Sequence, residues 1–379
     1  MVKLTKNIWI RGIIIAIILV AGILFLQSYN QIEKPGLIST EGRSFEKAVV
    51  VEVLKDNLQE DGSRVGDQVV LLKMETGPQA GQIVEANSPN GLLFGTVCRP
   101  GIDVITISSL VGQLNVTTVY NVDRSMPIYI FIATFLILLC LIGGKKGVKS
   151  SIALIFSFVC FIYLFFPMIM KGNSPFLAAI LTSSIVIAAT ICLINGFTIK
   201  ALSAIISTFL GLLTAGLAAD IFGYFTSLSG YNVSNIEALL FVGQNTLIDV
   251  GQLLFAGVLF ASLGAVMDIA MDISSAVNEL HQKNPNLTFK ELFKSGMNVG
   301  RDVMGTMSTT LILAFFGGSL GVWVLDYVYD LPYLQLMNSN SIGIEIMQGI
   351  SGSFGVIFTV PIVAFFSAWL PHYLERKSH

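Results

Sequence analysis

Eight stretches of this chain are each long and apolar enough to cross a lipid bilayer as a helix, which takes about 20 residues. They cover residues 8–28, 126–144, 150–169, 174–194, 201–222, 247–271, 299–325 and 342–369. Backbone inside lipid must satisfy its own hydrogen bonds, so single apolar runs of this length can cross only as α-helices. The expected fold is therefore a mainly α-helical polytopic membrane protein with about eight transmembrane helices. Charged residues make up 12% of the chain, against about 25% in a soluble domain. A cleaved signal peptide is the competing reading of residues 8–28. No A-x-A-like site follows Phe25, which favours an uncleaved anchor.

Residues 29–125 break the pattern. "FEKAVVVEVL", "DQVVLLKMETG", "GQIVEAN", "IDVITISSL" and "NVTTVYNV" are β-branched and partly alternating, and "DGSRVGD", "TGPQAG", "NSPNG" and "RPG" punctuate them. Short strands between Gly, Pro, Asn and Asp turns predict a small β domain of OB-like or SH3-like type between helices 1 and 2. The expected organisation is an anchor helix at 1–28, a β domain at 29–125, a seven-helix domain at 126–371 and a tail at 372–379.

Loop charges set the orientation. "GGKKGVKS", "NGFTIK", "HQKNPNLTFKELFKSGMNVGR" and the tail "HYLERKSH" hold the basic residues of the short loops, while "KGNSPF", "SLSGYNVSN" and "DYVYDLPYLQLMNSN" share one lysine. By the positive-inside rule both termini lie in the cytoplasm and the β domain lies outside. Residues 235–247 are apolar but too short to span. They read either as a re-entrant or interfacial half-helix or as the start of a long tilted sixth span.

The sixth span carries acids in an unusual place. At about 100° per residue, Gly257, Ala261, Gly264, Asp268, Asp272, Ser275 and Glu279 fall on one stripe. Small residues in its first half let another helix approach. Carboxylates at membrane depth are costly and face protein or water rather than lipid. The stripe is thus expected to pack against a neighbour and then open into an acid-lined surface. The plainer reading makes Asp272 and Glu279 a solvated extension, with Glu279 pairing Lys283. Arg301 and Asp302 open the seventh span, and Arg301 can offer a bidentate pair to Asp268 or Asp272 or serve only as an interfacial anchor. Gly317 and Gly321 form a GxxxG pair of the kind used for helix packing. The eighth span adds Glu345 and Gln348.

Several classes are excluded or disfavoured. A net charge of −2 and no basic stripe argue against nucleic acid. No HExxH, CxxC or GxSxG spacing occurs, and the histidines are scattered, so neither a metal, a cofactor nor an enzymatic activity is expected. Two readings remain. One is a transporter or channel for a small solute or cation, with its site among Asp268, Asp272, Ser275, Arg301, Asp302, Glu345 and Gln348. The other is a cell-envelope binding or assembly scaffold whose β domain recruits an extracellular protein.

"GAVMDIAMDISSAVNEL" followed by "GRDVMGTMSTTLILAFFGG", with "ETGPQAGQIVEANSPN" upstream, resembles the YibE/F-like family of bacterial membrane proteins over nearly the whole chain. The resemblance implies a multi-pass protein of the bacterial plasma membrane. It supplies no reaction and no substrate.

Overall fold

The computed structural model describes residue 22 and residues 25–32, 34–37, 42–90, 95–111, 114–233 and 235–378. Most of the expected anchor helix at 8–28 lies outside the described residues. The chain divides into two compact units, one comprising residues 36–138 and the other residues 1–35 with 139–379.

Among its described residues the first unit holds five strands: β1 (Arg43–Lys55), β2 (Gln68–Met74), β3 (Ile83–Ser88), β4 (Asp103–Val111) and β5 (Leu114–Val122). They close into a barrel in the order β1-β2-β3-β5-β4. β1 lies antiparallel to both β2 and β4, and β3 meets β5 in parallel at Asn87 and Thr118. The two-residue period of the sequence produces this barrel directly. Alternate residues Val70, Leu72 and Met74 of β2 point inward beside Ala48, Val50 and Val119, while their neighbours face out. Gln68 pins the long β3–β4 connection, because its Oε1 accepts the Cys98 N–H at 2.7 Å. Asp123 follows β5. It pairs with Lys47 of β1 at 2.7 Å and accepts the Ser125 N–H at 2.8 Å, tying β1 to the first turn of the next helix.

That helix, α1 (Ser125–Cys160), is broken. Gly144 leaves helical geometry at φ 54° and ψ −133°. A side chain at Gly147 would collide with the carbonyl of Leu139, and Cys140 Sγ lies 3.5 Å from Ser151 Oγ. Eleven residues of straight helix would separate those two by about 16 Å, so the chain folds back on itself at Gly144. Lys145, Lys146 and Lys149 are exposed around the turn.

After a π-turn at Phe161–Phe165 come α2 (Phe166–Met170), α3 (Pro175–Asn195), α4 (Ile199–Thr226), α5 (Ile236–Asn245), α6 (Leu253–Lys283), α7 (Phe289–Gly318), α8 (Leu320–Val328), α9 (Tyr333–Met337) and α10 (Asn340–Ser378). Their starts are written locally. Ser174 caps α3 ahead of Pro175, Thr198 caps α4, and Thr288 with Glu291 forms a capping box on α7. Among the described residues, five helices are long and apolar enough to cross a membrane, or six if α7 and α8 count as one span, with residues 125–170 taken as one.

Two expectations change here. Residues 236–245 form a separate helix with no buried residue, so they are not the start of a long tilted sixth span. The GxxxG pair does not lie on one helix, because α7 ends at Gly318 and α8 departs at 67°. A side chain at Gly317 or Gly321 would meet nothing within 4 Å.

α6 runs through the centre, contacting α3, α4, α7 and α10. Leu259, Val266, Ile269 and Ile273 on its buried side join the main core with Ile187, Leu212 and Val360. Close approach is enforced by small residues. Gly211 of α4 and Gly355 of α10 sit where a Cβ would press on Val266 at 2.8 and 3.2 Å.

Candidate functional site

The acid stripe of α6 is open. Gly257, Ala261, Gly264, Asp268, Asp272 and Glu279 are all exposed, while Phe260, Ala265, Met267 and Ser275 beside them are half-buried. Side chains at Gly257 or Gly264 would meet nothing within 4 Å. The expected packing of the stripe's small half against a neighbour is therefore absent among the described residues. The reason is rotational. α6 spends its apolar faces on four neighbours and leaves this face uncovered among the described residues. Elsewhere the exposed helical surface carries large apolar groups such as Ile142, Leu217, Ile221 and Phe225, the surface that lipid favours. The α6 stripe carries Gly, Ala and Asp instead.

The far end of the stripe is solvated in character. Glu279 pairs with Lys283 at 2.8 Å one turn on. Asp268 and Asp272 have no hydrogen bond or ion pair among the described residues.

Arg301 and Asp302 stand exposed on α7. Arg301 forms no ion pair with Asp268 or Asp272, so the expected bidentate bridge is not made. α7 turns a different side inward. Gly296 packs against Val277 and Ala364, and Gly300 against Ile273 and Val360. Arg301 follows Gly300 by about 100° and so points away from that contact. The nearby threonines are self-satisfied, with Thr306 Oγ1 donating to Val303 O and Thr309 Oγ1 to Gly305 O.

Glu345 and Gln348 diverge. Glu345 lines a cavity of about 170 Å³ with Ile312 and Phe316 of α7, Trp323 of α8 and Gly349 of α10. Gln348 is half-buried and does not line it. Within this cavity Glu345 Oε2 and Trp323 Nε1 are both buried without a hydrogen-bond partner, as is Asp326 Oδ2 on the same short helix. Buried polar atoms are normally satisfied, and here a carboxylate oxygen and an indole N–H line one cavity without a hydrogen-bond partner. Trp323 and Asp326 escaped the sequence reading. Asp326 inside "VWVLDYV" was the available signal, since an acid inside an apolar run calls for a reason.

The site thus has two parts: an acid face on α6, and a small cavity where the α7–α8 chain breaks. A family model described as YibE/F-like protein matches residues 131–372. The chain belongs to the YibE/F-like family. No curated protein and no solved structure matches it. The matched region includes the α6 stripe, the α7–α8 break and Glu345. The barrel of this YibE/F-like protein lies outside the match, which is narrower than the nearly whole-chain resemblance in the sequence.

Proposed function

We propose that this YibE/F-like protein is a carrier or channel for a small solute or cation, not an enzyme. In this reading it crosses the bacterial plasma membrane eight times, with both termini cytoplasmic and an OB-type barrel outside. The reversal at Gly144 supports the count, because it turns residues 125–170 into two crossings with Lys145, Lys146 and Lys149 at the turn. The strand order with its single parallel contact between β3 and β5 supports the OB-type assignment.

The observation that carries the transport reading is the open face of α6. Asp268 and Asp272 stand one turn apart with no hydrogen bond or ion pair among the described residues. Carboxylates are costly against hydrocarbon even toward the end of a span, and Asp268 falls inside the 247–271 stretch, so this face is wet or covered rather than lipid-facing. Two carboxylates that share a site hold a proton between them or recruit a cation. Wild-type protein in proteoliposomes should pass protons or a small cation down an imposed gradient, and Asp268→Asn and Asp272→Asn should each abolish that flux while eluting as folded protein. A folded wild type with no flux above empty liposomes for a range of cations would reject the proposal.

The scaffold reading keeps one observation of its own: the barrel is a compact unit with a separate core, able to bind an extracellular protein without the helices taking part. Loss of flux together with specific capture of an envelope partner by the barrel would favour it.

A further inference from the structure

We propose that a cleft between α4 and α10 binds one bilayer lipid, with a hydrocarbon chain between the two helices and an ammonium headgroup beside Asp220. The proposal rests on the membrane-crossing reading of these two helices and holds whether or not anything is transported.

The cleft follows from how α4 and α10 cross. Three close contacts set them antiparallel in a single register: Gly211 lies against Thr359, Ala215 against Gly355 and Leu228 against Gly343. Small residues at the first two let the backbones approach. Beyond them the side chains turn bulky. Leu217, Ile221 and Phe225 of α4 and Ile350, Phe354 and Phe358 of α10 line an open cleft of about 530 Å³. Two hydroxyls in it make no demand on a guest, because Thr214 Oγ1 donates to Gly211 O and Thr226 Oγ1 to Phe222 O. A hydrocarbon chain seated there touches protein on both sides and gains dispersion contacts that a chain on a convex surface lacks.

The length fits one leaflet. The lining runs from Thr214 to Thr226 on α4 and from Met347 to Phe358 on α10. At the rise of an α-helix each stretch covers about 17–18 Å. Half of the hydrocarbon core of a bilayer is about 15 Å.

The cleft has a polar end. At the C-terminus of α4 it meets a second pocket of about 610 Å³, and Ile221 and Phe225 line both. This pocket carries Asp220, Tyr224, Ser227 and Ser229. Asp220 is exposed and has no hydrogen bond or ion pair among the described residues. The N–H groups of Ser227 and Leu228 both return to the Gly223 carbonyl, and that of Ser229 goes to Asn232 Oδ1. The carbonyls of Tyr224 and Phe225 are thus left without their helical donors, at the negative end of the α4 dipole. A carboxylate beside such carbonyls favours a cation that carries N–H donors. Tyr224, 82% exposed, suits the level where the polar groups of a bilayer begin. The cleft takes the chain and the pocket takes the head of one molecule.

Charge separates this occupant from a second copy of the chain. A two-fold pairing about the membrane normal would set the Asp220 carboxylates of both copies at one depth, with no cation on the cleft to offset them. An ammonium lipid brings the cation with it.

The test offers full-length protein in detergent equal amounts of phosphatidylethanolamine, which has an ammonium head, and phosphatidylglycerol, which has none. Native mass spectrometry counts the lipid retained. Wild type should keep one phosphatidylethanolamine at least fivefold more often than phosphatidylglycerol. Asp220→Asn, at an exposed position, should erase that preference. Glu237→Gln, an exposed acid on α5 outside both pockets, should leave it intact. Ala218→Trp fills the cleft and should cut retention of both lipids several-fold in protein that still elutes as one species. Asp220→Asn decides alone where Ala218→Trp does not fold. Equal retention of the two lipids by wild type, or an Asp220→Asn protein that keeps the preference, would overturn the proposal. So would a folded Ala218→Trp protein that retains as much lipid as wild type. A wild-type dimer that Ala218→Trp abolishes would overturn it in favour of a second copy.

Discussion

Cys140 Sγ stands 3.5 Å from Ser151 Oγ although eleven residues separate them. Only a chain that reverses at Gly144 permits this. A disulfide needs Cβ atoms about 3.8 Å apart, a spacing the pair can reach with small adjustment. Ser151→Cys should therefore bridge to the native Cys140 under mild oxidation, with loss of two free thiols by mass spectrometry. Ser150→Cys, one residue and about 100° away, should stay reduced. A reduced Ser151→Cys protein would mean that residues 125–170 run on as one helix, and the proposed number of crossings would fall by one.

Gly211 of α4 and Thr359 of α10 define the tightest crossing in the helical unit. A Cβ at 211 would collide with Thr359 Oγ1. Thr359 is fully buried, and its hydroxyl already donates to Gly355 O at 2.7 Å, so it cannot step aside without losing that bond. Gly211→Ala should destabilise by about 1–3 kcal/mol, the usual cost of overpacking a filled core. Gly317→Ala meets nothing within 4 Å and should be neutral or gain up to about 1 kcal/mol of helix propensity. Thermal unfolding in detergent separates the two. Equal midpoints for both variants would show that the α4–α10 contact tolerates a methyl group.

How much of this was legible in the sequence depends on the range of the interaction. The five strand segments quoted from the sequence are β1 to β5, because alternation and turn glycines act over a few residues. The Thr288–Glu291 capping box and the carboxylate stripe are equally local. The rotation of α7 is not. Periodicity defines the faces of a helix, but which face meets α6 is decided by Gly296 and Gly300 fitting against Ile273, Val277 and Val360. Of the two readings of Arg301, the pairing with an α6 carboxylate is therefore not made, and the sequence had no means to choose between them. The break after Gly318 and the meeting of Glu345 with Trp323 depend in the same way on contacts made across helices.

The barrel should show an acid transition that reports on Asp123. The hydrogen bond and charge of Lys47, together with hydrogen bonds from Ser125, hold the Asp123 carboxyl down at about 2, against about 3.9 in an unfolded chain. A depressed carboxyl stabilises the fold above its unfolded value and loses that contribution as pH falls through the folded one. Lys47 is shifted up by the same hydrogen bond and by the charge of Asp123, so its share is present below its ordinary range and is lost in alkali. Lys47 is 45% exposed, so solvent screening keeps the contribution of the pair small. Asp123→Asn should raise pepsin cleavage of the barrel in the full chain at pH 5 and make a much smaller difference at pH 2, where the folded carboxyl is half protonated, after correction against an unstructured peptide. A difference of the same size at both pH values would separate the effect from ionisation.

Glu345 offers a way to separate function from stability at the α7–α8 break. Its Oε2 is buried without a partner beside the equally unpartnered Nε1 of Trp323. An unsatisfied buried polar group costs about 1–3 kcal/mol, and replacing it with an apolar group of similar size removes that cost. Glu345→Leu should therefore raise the thermal midpoint in detergent. A structural carboxylate, satisfied by something essential to the fold, would do the reverse and lower it. If the carboxylate is kept for a guest, the same variant should lose flux in the proteoliposome assay while gaining stability, the trade expected where a site is held against the fold's own preference. Trp323→Phe removes the N–H but keeps the ring, and should cut flux without a matching loss of stability. A Glu345→Leu protein that is both less stable and inactive would assign this residue to the frame of the molecule and leave the α6 stripe as the remaining candidate site.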